Sequence, residues 1–564
     1  MKSLFFGSID EGLLFPWPEP DSVEVDRLRA FIEPVRRFFE LRVDSTEIDR
    51  QQRIPEDVIG GLRELGCFGL SVPQSHGGAG LTNTAYARAM QEMTSLDASV
   101  AMMLRAHESI GARGITLFGT DEQKARYLPR LARGETIAAF ALTEPGAGSD
   151  AAAIQTRADV QSDGSYLLNG QKTWITNGGL ADVFTVFART SRPDADAKPK
   201  ITAFIVERAW GVRSGPSREK LGVRGTSTTE LFFQDVLVPA SNLLGEAGRG
   251  FKVAMQVLDS GRLSLASGCV GLCKRIIRMA VERCNERRAF GRPIGEFGLI
   301  KDKIAMMMAE TWALESITYL TTGMVDMGVE DFSIESAICK VFASEACGRV
   351  VNEGLQIAGA VGYMAEFPYE RLLRDARVNL IFEGTNETLR AFIALGGMQG
   401  PGREQADAMR EPIKGFGLLT DVALRMARGA LGTSRPRLTR HHASLAHVAL
   451  VFEEYVHELG RGVDAVLRRH GRDIAEMQYT QKRTADMATY LFALAACISR
   501  TTLAIERRGE EGARREIDLT NIFASAAERC LSQIVSAVAK NDDELRKGVA
   551  TRAYADGGYP FDVV

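Results

Sequence analysis

The sequence predicts an α+β fold that is mostly α-helical, with a small β region enclosed between helical ones. Apolar residues recur at three- and four-residue spacing over most of the chain, as one buried helix face requires. Residues 141–240 instead hold β-branched and aromatic runs separated by turn residues, which is typical of short strands. A chain of 564 residues is also too long for one hydrophobic core, so several domains are expected.

Breaks in these patterns predict the domain limits. Glycines and a proline at 238–250 indicate one linker, and the segment GGMQGPGREQ at 396–405 indicates another. We therefore expect four domains: an N-terminal helical domain at 1–140, a β domain at 141–245, a helical domain at 246–400 and a helical extension at 401–564.

Composition excludes several classes of function. A net charge of −3 gives no field that would attract nucleic acid. The eight cysteines are scattered without metal-ligand spacing, which indicates reduced thiols and no bound metal. No secretion or transit signal and no run of eighteen apolar residues is found, so we expect a cytoplasmic protein that does not span a membrane.

Two segments near the β region could contact a flat ligand. The loop Phe140–Asp150 (FALTEPGAGSD) has glycines that let the backbone approach a ligand closely. An ordinary turn is the alternative, since it has the same composition. The segment Trp174–Gly179 (WITNGG) places a tryptophan beside a hydroxyl residue, which could stack on a cofactor and bond it. A core tryptophan before a turn is the alternative.

Two further segments carry charged candidates. Arg287 opens RRAFGRPI and could pair with a phosphate, or be a solvated surface arginine. Glu383, in IFEGTNE, stands between Phe382 and Gly384, just before the helix N-cap candidates Thr385 and Asn386. Apolar surroundings favour the neutral form of such a carboxyl and suit a general base; a capping or solvent-facing glutamate is the alternative.

In this order and spacing, the four segments resemble the acyl-CoA dehydrogenase family over about residues 25–400. The resemblance implies a helical domain, a β domain and a helical four-helix bundle. It also implies FAD-dependent conversion of a fatty acyl-CoA to the trans-2-enoyl-CoA in fatty acid β-oxidation. Glu383 would remove the α-proton while FAD accepts the β-hydride. Some members carry the base at the position of Gly261, which has no side chain here.

The resemblance assigns the remaining site residues by position. Those implied to contact FAD, some of them in a neighbouring subunit, are Phe140, Leu142, Thr143, Ser149, Trp174, Thr176, Arg287, Gln356, Gly359, Ala360, Thr385 and Glu387. Those implied to contact the acyl-CoA substrate are Ser149, Asp259, Arg262 and Gly384. No metal site is implied.

The residues after 400 resemble the extension of the very-long-chain branch of the family. That likeness implies a homodimer, a long-chain substrate and an electron-transferring flavoprotein as acceptor. In that branch, however, glycines lie deep in the acyl pocket where this chain has Ala101 and Arg105, and larger side chains could shorten the tunnel.

The extension also carries a basic stretch (Arg425, Arg428, Arg435, Arg437 and Arg440) ahead of an apolar-periodic run. This pattern is compatible with peripheral membrane contact, but a helix packed on the catalytic core is slightly favoured. Two rival functions stay open at this point: an acyl-CoA oxidase that reduces oxygen, and a non-catalytic assembly or scaffold protein of the same fold.

Overall fold

The computed structural model describes residues 1–190, 200–410 and 436–561. The chain forms two compact units, one of Pro16–Leu389 and one that joins Met1–Phe15 to Arg390–Val564. Of the residues that the structure describes, 66% are helical and 11% lie in strands, which confirms the mostly α fold.

The first unit begins with seven α-helices whose starts follow from their capping residues. Thr120 forms a capping box with Gln123, and the Asp97 side chain accepts the Val100 N–H at 2.8 Å. The helices are α1 Ser22–Arg42, α2 Ser45–Gln51, α3 Glu56–Glu64, α4 Asn83–Leu96, α5 Ala98–Arg105, α6 Arg113–Phe118 and α7 Asp121–Ala132.

Between α5 and α6 the chain winds as a π-helix over Ala106–Ala112, a conformation that is frequent at functional sites. His107 in this segment is fully buried. Its Nε2 lies 3.2 Å from the carbonyls of Phe68 and Leu131, and its Nδ1 accepts the Ala138 N–H at 2.9 Å. Burial lowers the pKa of His107 to about 4, so the neutral ring fixes the start of the first strand.

Eight of the described strands form one sheet, in the order β6-β7-β3-β2-β4-β5-β8 with β1 pairing parallel to β4. They are β1 Ala138–Ala141, β2 Arg157–Val160, β3 Tyr166–Thr176, β4 Val183–Thr190, β5 Lys200–Glu207, β6 Arg213–Ser214, β7 Thr228–Val238 and β8 Leu243–Leu244. The antiparallel pairing of β3 with β7 is irregular between Lys172 and Ile175. Such a bulge re-aims the side chains within it.

Long helices follow the sheet and form the predicted helical bundle. They are α8 Gly250–Glu286, α9 Gly298–Asp326, α10 Ser333–Ala358, α11 Ala360–Tyr363 and α12 Pro368–Arg377, with a small hairpin of β9 Arg288–Ala289 and β10 Arg292–Pro293 after α8. The next helix, α13 Asn386–Arg410, begins in this unit and continues into the second one. The three longest of these, α8, α9 and α10, pack against one another.

The expected linker at 396–405 is wrong, because α13 runs through it. Its glycines serve close packing instead of flexibility. A Cβ on Gly397 would lie 2.2 Å from the Phe5 ring, and one on Gly400 would lie 2.7 Å from the Phe6 ring. The N-terminal segment therefore belongs to the unit that holds the extension, which the sequence did not indicate.

The second unit is helical, as predicted: α14 Ala446–His470, α15 Gln478–Gly512, α16 Arg514–Ala539 and α17 Asp543–Asp556. Helices α15 and α16 are long and apolar enough to cross a membrane by length and composition alone. In α15, 78% of the apolar window is buried inside the structure, as in a core helix, against 22% in α16.

Of the predicted basic stretch, Arg425, Arg428 and Arg435 lie outside the described residues. Arg440 donates to the Phe15 carbonyl at 2.8 Å, so its charge is engaged within its own unit. The apolar-periodic run forms α14, whose apolar side is buried.

Candidate active site

Glu383 lies in the short loop before α13, and its backbone is left-handed with φ +56°. This conformation is costly for a residue with a side chain and is held only where surrounding contacts impose it. The next residue, Gly384, has φ +95°, which glycine adopts without strain. The Glu383 side chain is only 6% exposed. Two successive positive φ angles thus turn a carboxylate into the interior.

Polar contacts from two helices hold this loop. Lys340 on α10 donates to the Gly384 carbonyl at 2.7 Å and to the Asn386 side chain at 2.8 Å. Burial lowers the pKa of Lys340 to about 8, although the Glu383 charge opposes this effect. Arg262 on α8 donates to the Glu383 carbonyl at 3.4 Å. Two buried cations, one on α10 and one on α8, therefore hold the backbone of this loop in place.

Asp259 completes this support. It pairs with Arg262 at 2.7 Å and accepts the Ser336 hydroxyl at 2.9 Å. Burial raises the pKa of Asp259, while the Arg262 charge opposes the rise. Both residues are buried beside the base, and their expected contact with CoA stays a prediction.

The surroundings of the Glu383 carboxylate differ from the apolar setting expected. Its Oε1 lies 3.7 Å from an Arg105 guanidinium nitrogen, and that guanidinium lies over the Phe382 ring, 5.1 Å from its centroid. Its Oε2 is buried without a hydrogen-bond partner among the described residues. A Cβ on Gly261 would lie 3.1 Å from Oε2, so only glycine leaves this side of the carboxylate open.

The N-cap prediction is confirmed for Thr385, whose hydroxyl accepts the Thr388 N–H at 3.3 Å. It is wrong for Asn386, which begins the helix. The Asn386 side-chain oxygen instead accepts hydrogen bonds from the Lys340 ammonium and the Ser344 hydroxyl. A buried ammonium requires such acceptors.

The structure brings the first two predicted segments together. The Thr173 N–H donates to the Thr143 carbonyl at 2.9 Å, and Lys172 donates to the Leu142 carbonyl at 2.9 Å. Phe140, on β1, packs against Phe187 with ring centroids 4.9 Å apart. The loop after β1 and the bulge of β3 therefore form one continuous surface.

A buried ion pair fixes this surface. Lys172 is fully buried and lies 2.8 Å from Glu144. Glu144 also accepts the backbone N–H groups of Gln155 and Thr156, which closes the loop between β1 and β2. Burial lowers the pKa of Lys172 to about 8, against the opposing effect of the Glu144 charge.

Trp174 fits a stacked aromatic cofactor. It has φ +55° within the irregular part of β3, and 62% of it is exposed. Trp174 directly follows Thr173, whose N–H is bonded to the Thr143 carbonyl. An exposed tryptophan with a strained backbone at this place suits a flat ring system such as a flavin. Thr176 pairs with Thr228 at the end of β3, within the same segment.

The other predicted contacts lie on the surface of the single chain. The exposed residues are Ser149, Arg287, Gln356, Gly359, Ala360 and Glu387. Sequence reasoning missed Lys340 and the Lys172–Glu144 pair. A lone lysine in the apolar run SAICKVFA was the available signal for Lys340, because a buried lysine needs a specific partner.

Comparison with known proteins decides the family. The N-terminal, middle and C-terminal domains of acyl-CoA dehydrogenases match residues 26–135, 139–236 and 248–398. The chain belongs to the acyl-CoA dehydrogenase family. The C-terminal domain described as ACAD9/ACADV matches residues 443–558.

Individual relatives agree. The chain is 43% identical over 512 residues to the mitochondrial very long-chain specific acyl-CoA dehydrogenase of Bos taurus, covering 89% of this chain and 78% of the relative. It resembles the structure of an acyl-CoA dehydrogenase complexed with FAD from Bacillus anthracis, with TM-score 0.83, 30% identity and coverage of 100% and 96%. Butyryl-CoA dehydrogenase from Megasphaera elsdenii matches with TM-score 0.63 and 37% identity, covering 67% and 98%.

These findings confirm the family, the cofactor and the reaction class predicted from the sequence. The enzyme is an FAD-dependent acyl-CoA dehydrogenase that acts in fatty acid β-oxidation.

Proposed function

We propose that Glu383 is the catalytic base that removes the α-proton of a bound acyl-CoA. The observation that carries this assignment is the unpartnered Oε2, buried and facing the open side left by Gly261. A carboxylate oxygen without a hydrogen bond is free to accept a proton from carbon. FAD, when bound, supplies the acceptor for the β-hydride.

The surrounding residues support this role by position. Arg262 and Lys340 contact the Glu383 carbonyl and the Gly384 carbonyl, so the loop cannot turn the carboxylate outward without losing both bonds. Burial excludes water, which would otherwise solvate the base. The Glu383 N–H and Gly384 lie where the resemblance places the thioester carbonyl, and a backbone donor there would stabilise developing enolate charge.

We expect the cofactor to lie against the surface formed by the loop after β1 and the bulge of β3. Phe140, Leu142 and Thr143 would line the flavin, with Trp174 and Thr176 against its ring. Ser149 would contact both FAD and the phosphopantetheine arm, and Thr385 and Glu387 would complete the FAD site.

Anaerobic titration with acyl-CoAs from C4 to C20 tests the function. We expect loss of flavin absorbance with stoichiometric formation of enoyl-CoA, and electron transfer to an electron-transferring flavoprotein. Rapid peroxide formation in air would favour the oxidase alternative. Failure of every acyl-CoA to reduce the flavin would favour the scaffold alternative.

We expect a homodimer in which Arg287, Gln356, Gly359 and Ala360 contact the partner's FAD. Exposed apolar side chains cluster in sequence near these residues and need cover, since such patches drive association: Phe290 (94% exposed), Tyr363 (76%), Met364 (47%) and Phe367 (39%). Light scattering should give a dimer, and Arg287→Ala should weaken FAD retention. A tetramer, or a monomer that retains full FAD, would contradict the arrangement.

Cytoplasmic location and peripheral membrane contact stay predictions; the mammalian relative is mitochondrial. Burial of the apolar side of α14 supports a helix packed within protein. Co-sedimentation of the same dimer with anionic vesicles at low and high salt decides between a packed helix and membrane contact. Salt-sensitive binding would support membrane contact.

A further inference from the structure

The interior next to Glu383 is lined by polar groups where a hydrocarbon tail would need apolar ones. Arg105, at the end of α5, is 6% exposed, and among the described residues its guanidinium has one hydrogen bond, 3.1 Å to the Met102 sulfur. Sulfur is a weak acceptor for a group with five donors. Arg105 therefore has donor capacity left over inside the protein.

Further buried polar atoms lie around this guanidinium. In the described chain the Tyr86 hydroxyl, the Ser264 hydroxyl and the Glu108 Oε1 are buried and make no hydrogen bond of good geometry. The Tyr86 hydroxyl faces the Ser264 and Ser109 hydroxyls and lies near the Glu108 and Arg105 side chains, so these groups form one cluster. Unsatisfied buried polar atoms are rare in folded proteins, and several together indicate a place for a polar ligand.

This cluster adjoins the base along one face of α8. Gly261, Ser264 and Gly268 recur at the spacing of a helix face. A Cβ on Gly261 would lie 3.1 Å from the Glu383 Oε2, and one on Gly268 would lie 3.7 Å from an Arg105 nitrogen. The Arg105 guanidinium thus lies along the same face of α8 as the open side of the carboxylate left by Gly261.

The charges around the cluster favour an anion. Arg105 and the buried Arg113 are cations, and burial raises the pKa of Glu108 to about 8, so its carboxyl is largely protonated at neutral pH. Glu383 is the anion that Arg105 approaches, at 3.7 Å.

We propose that Arg105 recognises a carboxylate on the acyl group, so that the preferred substrates are ω-carboxyacyl-CoAs of modest length. The carboxylate pairs with the guanidinium in a bidentate way, with the Tyr86 and Ser264 hydroxyls able to donate to it. The same guanidinium lies 3.7 Å from the Glu383 Oε1, so the bound carboxylate would lie close to the base. This inference rests on the proposed function, since it specifies the acyl group at the same site.

The test compares kcat/KM for pairs of acyl-CoAs matched in length, with and without a terminal carboxylate. Adipoyl-CoA against hexanoyl-CoA and suberoyl-CoA against octanoyl-CoA are suitable pairs. The wild-type enzyme should prefer the carboxylated member by about 100-fold or more, because a site that hydrogen-bonds its substrate rejects analogues that lack the group. Arg105→Met should lower that preference at least ~100-fold, and Arg105→Lys should retain part of it.

Arg88→Met is the matched control, because Arg88 lies over the Tyr319 ring, 4.3 Å from its centroid, and should leave the preference unchanged. Higher kcat/KM for the unsubstituted member of every pair in the wild type would overturn the proposal, as would an unchanged ratio in Arg105→Met. Flavin reduction by hexanoyl-CoA but not adipoyl-CoA would refute this inference alone. Reduction by no acyl-CoA would refute the proposed function as well.

Discussion

Glu383→Gln should lower the rate of flavin reduction by acyl-CoA about 10²–10⁴-fold, the usual contribution of a general base. Glutamine has nearly the same shape and keeps an oxygen that can face Arg105, but its amide does not accept the α-proton. The loop contacts made through backbone carbonyls by Lys340 and Arg262 are independent of this change. Fold, FAD content and acyl-CoA binding should therefore persist.

Anaerobic stopped-flow mixing measures this effect directly, with FAD content and thermal unfolding recorded on the same samples. Glu330→Gln is a suitable control, because Glu330 is exposed and lies outside the site. A Glu383→Gln enzyme that keeps more than about a tenth of the wild-type rate would exclude Glu383 as the base, since a general base contributes more than this.

Lys172→Met should destabilise the fold by about 3–5 kcal/mol, because it leaves the Glu144 carboxylate buried without its cation. Lys172 also donates to the Leu142 carbonyl, and Glu144 holds the Gln155 and Thr156 N–H groups. Disturbing this pair loosens the loop proposed to line the flavin. Retention of FAD should therefore fall together with stability.

Thermal unfolding and the ratio of FAD to protein after gel filtration measure both effects. Lys252→Met serves as the comparison, because Lys252 is exposed and surface charges contribute little. Equal melting temperatures and FAD content in Lys172→Met and the wild type would show that the Lys172–Glu144 pair stabilises neither the fold nor the bound FAD.

The sequence was sufficient for the fold class and for the family, because apolar periodicity and four local motifs are each readable over short windows. Glu383 became the candidate base through the family resemblance, as a carboxylate in a loop before a helix. The same local reading failed at Gly397 and Gly400, where a glycine-rich segment looked like a linker. There the aromatic partners, Phe5 and Phe6, lie almost 400 residues earlier in the chain.

Contacts between distant segments explain what else was missed. Arg105 and Glu383 are brought within 3.7 Å by the fold, although nothing near either residue in the sequence indicates the pair. Lys340 is similar, since its acceptors lie on the loop around Gly384. Sequence patterns show that a residue is buried, but only tertiary structure shows which group it meets.

With Glu383 as the proposed base, the left-handed backbone there sets folding and catalysis against each other at one position. Glycine adopts φ +56° freely, whereas a side chain there costs of order 1–3 kcal/mol. Selection for thermal tolerance alone would therefore drive this position away from glutamate, and only selection for turnover retains it. Engineering of more heat-resistant variants should thus take its gains elsewhere in the chain and leave this strained peptide untouched.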